Sequence, residues 1–269
     1  MPQPVTVFLR QSLTLNAGIA ACLEKPSIKS VHRLRSSTRR IEAILELLTI
    51  STNLRLRTKS KSLRKILRTL RRAAGAVRDL DVHHELLKPY RKNQDTARLE
   101  QALAAAREKS ARKLRTELRK SQKQLHKELN QLETLLKPAL DLNLNATTLL
   151  NLTRTWFAKA IANLDPQQDD ELHSIRKAGK TARYIAESGA AASKSVAALA
   201  TRLEDAQETL GAWHDCLLLL DEAKSALPEQ SPTTVQLQEK ALQLRHQANE
   251  VATHLLATFP LPTARNGVH

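Results

Sequence analysis

His32, Arg35 and Arg39 are spaced by three and four residues, and His173, Arg176 and Lys180 repeat that spacing far downstream. On a helix such residues share one face, so each set forms a cationic stripe, flanked by Arg40 in the first case and Arg183 in the second. Guanidinium forks and ammonium groups in a row suit charge-assisted hydrogen bonding to the oxygens of an anionic polymer. Stacked like charges cost a helix roughly 0.2–0.5 kcal/mol per pair, so the stripe calls for a ligand or for acids on a neighbouring helix. One basic stripe is most often a solvated face, but this one recurs. Arg64, Arg68 and Arg72, with Lys61 and Arg71, continue it, and Arg119 and Lys123 follow Arg112 and Arg115 at the same spacing. If the stripes face one another they line a groove rather than scatter charge over a surface.

Arginines beside His32 and His173 push each imidazole toward its neutral form and repel a divalent cation, so no metal site is expected there. A neutral ring would donate one N–H to an anion's oxygen or to a carboxylate. Asp79 and Asp215 each follow a glycine, in "GAVRDLDV" and "GAWHDCLL". The glycines suggest short turns, which would place both carboxylates near helix starts as caps and as structural support for groove arginines. His83, His84, His126, His246 and His254 have no such repeat and read as surface or packing residues. Trp213 and Tyr184 read as core or helix contacts.

The elements that must carry these side chains are helices. Six glycines in 269 residues and 3% aromatics leave a chain dominated by residues that lose little freedom in a helix. Opposite the first cationic stripe, Leu34, Ile41, Ile44, Leu45 and Leu48 form an apolar one. Breaks at Pro26, 51–53, Pro89, Pro138, Pro166, 188–189, Pro228 and Pro232 divide the chain into roughly ten helices, with 95–136 as one long helix. His32 and His173 lie 141 residues apart and Asp79 and Asp215 lie 136 apart, in the same order. Such a match predicts two related helical bundles side by side, at 1–140 and 141–269.

The formal net charge is +16, and it is uneven: residues 28–72 hold fourteen Lys and Arg against two acids, whereas 201–269 hold five against nine. Concentrated charge points to a polyanionic partner. Cys22 and Cys216 sit in apolar helical patterns, which suits buried thiols in a reducing compartment. No run of about 18 apolar residues is present, so no membrane span is expected. "IAAC" ending at Cys22 mimics a lipoprotein cleavage box, but Arg10, Gln11 and Asn16 interrupt the stretch before it, which fits a helical face better than a leader. The basic segments 28–72 and 107–127 contain no Phe, Tyr or Trp, which argues against single-stranded nucleic acid; sequence-independent duplex binding needs no aromatics and is the alternative reading.

"VHRLRSSTRR", "GAVRDLDV", "LHSIRKAGKTARY" and "LGAWHD", in this order across nearly the whole chain, resemble the conserved histidine α-helical domain, CHAD. The resemblance implies two pseudo-symmetric four-helix bundles around a basic groove that binds inorganic polyphosphate without catalysis. It needs no cofactor and implies a cytoplasmic protein at polyphosphate granules. The basic positions it assigns are His32, Arg35, Arg39 and Arg40, then His173, Arg176, Lys180 and Arg183. Lys123 stands where relatives often carry arginine. Glu42 and Thr181 replace basic residues, and Gly179 departs from the pattern and suggests a softer second helix. Relatives can be fused to a tripolyphosphatase, but this chain has no alternating-glutamate strand, no acidic magnesium cluster and no phosphate-cradling glycine loop.

Overall fold

The computed structural model describes residues 3–90 and 93–261. Among them are nine α-helices and no strand: α1 (Pro4–Glu24), α2 (Ile28–Ser51), the single turn α3 (Leu56–Lys59), α4 (Lys61–Leu87), α5 (Gln94–Leu136), α6 (Ala146–Ile161), α7 (Asp169–Glu187), α8 (Lys194–Ala226) and α9 (Pro232–Thr258). The punctuation has local causes. Ser27 accepts the Ser30 amide ahead of α2, Asn93 and Thr96 close a capping box ahead of α5, Asn145 caps α6, and Ser231 followed by Pro232 opens α9.

Three apolar clusters hold the helices together. The first joins α1, α2, α4 and α5 through residues such as Phe8, Ile41, Leu67 and Leu118. The second joins α6 to α9 around Phe157, Ile185, Leu203 and Trp213, and α2 reaches into it with Ala43 and Leu47. A third, including Leu80, Leu99, Leu219 and Leu237, ties α4 and α5 to α8 and α9. The apolar stripe of α2 is wholly buried, as its spacing requires.

One local expectation is corrected. Gly75 and Gly211 mark no turns: α4 and α8 run through them, so Asp79 and Asp215 sit mid-helix and cap nothing. Packing on both sides of each helix outweighs a glycine penalty of about 1 kcal/mol. Helix α7 runs unbroken through Gly179. That residue is buried, and a Cβ there would collide with the side-chain amide of Gln207 from α8.

Candidate anion-binding cleft

Two helices from the first half of the chain, α2 and α4, and two from the second, α7 and α8, enclose an open cleft of about 470 Å³. Helix α2 supplies His32, Arg35, Ser36 and Arg39; α4 supplies Arg78, Asp79 and Val82. From α7 come Arg176, Lys180, Arg183 and Tyr184, and from α8 Glu204, Gln207, Glu208 and Asp215. The two cationic stripes therefore face one cavity, although 141 residues separate their counterparts.

The walls are paired in parallel fashion. Arg35 Nη2 lies 3.6 Å from Asp79 Oδ1, and Arg176 Nη2 lies 3.5 Å from Asp215 Oδ1. These separations are coulombic contacts rather than tight hydrogen bonds. The Nε–H groups of Arg35, Arg39 and Arg176 are buried without protein acceptors, so packing and the two aspartates hold these guanidiniums in place. Burial raises the Asp79 carboxyl pKa, against the lowering effect of Arg35. Arg183 is held by Glu187 at 2.8 Å and Glu204 at 3.1 Å. Arg40 and Arg183 approach the Tyr184 ring centroid at 5.4 and 5.2 Å.

Arg39 and Lys180 lie among these residues with no ion-pair partner among the described residues. Burial, then the neighbouring Arg35 and Arg71, lowers Arg39 to about 10, which leaves it charged at neutral pH. Burial and then Arg176, Arg39 and Arg35 push Lys180 down to about 6, so much of the population is neutral until an anion arrives. The electrostatic cost of the cleft thus falls on Arg39 and Lys180, and also on Arg176, whose pKa burial lowers against the opposing effect of Asp215.

The two sequence-marked histidines part company. His32 stands at the exposed rim of the cleft, where partial desolvation of its ring and then Arg78 and Arg35 lower its pKa. His173 does not line the cleft; its ring centroid lies 4.5 Å from that of His214 with the planes tilted by 39°, and burial followed by nearby cations lowers the pair to about 4 and about 3. Both rings are neutral at pH 7. Nothing in the sequence sets His214 apart from Trp213 and Asp215 within "LGAWHD"; only the fold brings its ring to His173.

Several expected groove residues stand elsewhere. Arg40 turns to Glu187 and a recess beside α1. Arg64 pairs with Glu46 at 2.6 Å and Arg71 with Glu42, because the N-terminal half of α4 faces the acidic end of α2. Arg68, Arg72, Arg119 and Lys123 are exposed outside the cleft, since α5 packs beside α4 and lends the cleft no residue. Arg78, Ser36 and Gln207 line it without having been singled out. Arg78 lay next to the marked Asp79, but only the packing of α4 against α2 turns it inward.

The fold and cleft together define an all-helical protein with an open cleft lined by charged side chains from both halves of the chain. More particularly, the chain belongs to the CHAD domain family, whose model matches residues 10–224. No curated protein matches it significantly in sequence. Among solved structures, the CHAD domain from the plant Ricinus communis is similar in fold, with 19% identity and a TM-score of 0.69 over 97% of this chain and 92% of that one. PptA from Streptomyces chartreusis is similar too, at 18% identity and a TM-score of 0.63 over 95% of this chain and 97% of that one. Among the described residues, no helix is long and apolar enough to cross a membrane, and no group of three or more His, Cys, Asp or Glu is arranged to hold a metal ion.

Proposed function

We propose that the cleft binds inorganic polyphosphate without chemical turnover, and that the protein serves as a polyphosphate-associated module at cytoplasmic granules. The observation that carries this reading is the convergence of Arg35 and Arg39 with Arg176 and Lys180 on one cavity, with Arg39 and Lys180 lacking counterions. A linear polyphosphate presents charged oxygens on every unit, so it can replace the missing acceptors along the whole cavity without any base being read. Asp79 and Asp215 act as supports that fix guanidinium positions. Their engagement with Arg35 and Arg176 argues against a role as general bases.

The test is titration of long-chain polyphosphate into the wild type and into an Arg35→Glu, Arg39→Glu, Arg176→Glu variant. Because Arg39 and Arg176 are largely buried, the milder Arg35→Gln, Lys180→Gln variant is measured alongside, with circular dichroism to confirm folding. The triple variant is expected to lose at least a hundredfold in affinity and the double about tenfold; unchanged affinity in both folded variants refutes the reading. Metal-dependent release of phosphate from purified protein would instead make it a phosphohydrolase.

A further inference from the structure

The cations that the cleft does not use form a surface of their own. On α4, Lys65, Arg68 and Arg72 lie on the face opposite the buried Leu63, Leu67 and Leu70. On α5, Lys109, Lys113, Lys123 and Lys127 lie opposite Leu114, Leu118 and Leu125. A short connection makes α4 and α5 neighbours, and a shallow groove between them has Ala73 and Ala76 on one side and Lys109, Arg112, Lys113 and Thr116 on the other. The two helices pack side by side, so the face carries two adjacent cationic rows. The α5 row from Lys109 to Lys127 extends for about 27 Å.

Acids do not neutralise this face. Glu42 and Glu46 are spent on Arg71 and Arg64 at the α2 side, and the two nearest acids on α5, Glu108 and Glu117, are tied to Arg112 and Lys120. Arg68, Arg72, Lys113, Lys123 and Lys127 are exposed and have no ion-pair partner among the described residues.

We propose that the outer face of the α4–α5 pair, separate from the cleft, binds the phosphate backbones of duplex nucleic acid without reading sequence. Two adjacent cationic rows on a packed helix pair can engage the two phosphate strands that flank one groove of a duplex. A single linear polyanion would engage one row and leave the other idle. Single-stranded nucleic acid is disfavoured because neither segment offers an aromatic platform. A lipid surface is disfavoured because none of the exposed large apolar side chains lies on α4 or α5, leaving nothing to insert below the headgroups.

The experiment is fluorescence anisotropy with a labelled mixed-sequence DNA duplex across a salt series. It compares the wild type, an Arg68→Glu, Arg72→Glu, Lys113→Glu, Lys123→Glu face variant, and a charge-matched Lys159→Glu, Lys194→Glu, Arg202→Glu, Lys224→Glu control on exposed positions elsewhere. The face variant is expected to lose at least thirtyfold in duplex affinity, with its salt slope flattened by roughly 0.9 per lost phosphate contact. The control should lose less than fivefold, and the face variant should keep wild-type affinity for short-chain polyphosphate. Equal losses in face variant and control would reduce the effect to net charge and overturn the proposal. So would duplex binding that disappears in the cleft variant but survives in the face variant, or tighter binding to phosphatidylserine vesicles than to duplex. Loss of short-chain polyphosphate binding in the wild type would count against the cleft reading alone.

Discussion

Lys180 is the side chain on which stability and binding pull in opposite directions. Its folded pKa lies near 6, below the ordinary value of 10.5. Between those values the unfolded chain binds the extra proton, so this group makes the free protein more stable as pH rises from about 6 to 10. Replacing it with methionine is therefore expected to stabilise the free protein at pH 7 by about 1–3 kcal/mol, measured by denaturant unfolding, while weakening polyanion binding. A bound polyanion favours the charged amine, so binding should take up a proton and tighten as pH falls from about 9 to 6. Calorimetric titrations at pH 7.5 in buffers of different protonation enthalpy measure that uptake, and Lys180→Arg should abolish most of it. His173 and His214, at about 4 and about 3, titrate below this window. The aspartates differ in the same way: Arg176 is 4% exposed and Arg35 21%, so Asp215→Asn leaves the more deeply buried charge unpaired. It should cost about 2–4 kcal/mol against about 1–2 for Asp79→Asn. At this scale the residue types of the two stripes were legible in the sequence, but their protonation was not, because burial is the first cause of each shift.

At the scale of elements, α7 and α8 form one wall of the cleft, and Gly179 of α7 leaves room there for the Gln207 side chain of α8. The added Cβ of Gly179→Ala would strike the buried Gln207 amide, whose nitrogen and oxygen both lack hydrogen-bond partners. In the wild-type background the substitution should lower stability. In a Gln207→Ala background the obstacle is gone, and the same change should raise stability by about 1 kcal/mol through helix propensity alone. A thermal double-mutant cycle reads the reversal of sign. Helix periodicity and the proline and serine punctuation made the element list readable in advance, including the long α5. Gly75 and Gly211 look like turn glycines because a glycine at a turn and a glycine inside a helix are alike along the chain, and only the fold separates the two cases.

For the whole molecule, the net charge of +16 sets competing salt effects. Screening should relieve self-repulsion and modestly stabilise the free protein between 50 and ~300 mM salt, while the same screening weakens polyphosphate binding steeply. Saturating polyphosphate at about 100 times its dissociation constant should add about 2.7 kcal/mol of stability, a rise of about 5–10 °C in Tm. Thermal scans at two salt concentrations, with and without polymer, should show these opposite trends, and a rise in Tm with polymer that grows with salt would contradict them.

What the sequence by itself determined is what depends on neighbours along the chain: helical periodicity, the breaks, the cationic stripes and the family motifs. Only the tertiary structure decided which stripes share a cavity. Arg35 and Arg176 meet there from opposite halves of the chain, Arg64 and Arg71 are neutralised by acids from α2, and Arg68, Arg72, Arg119 and Lys123 face away. The physical reason is that charge acts through space. A row of arginines is a groove, a neutralised seam or an open face according to what other helices bring within a few ångströms of it.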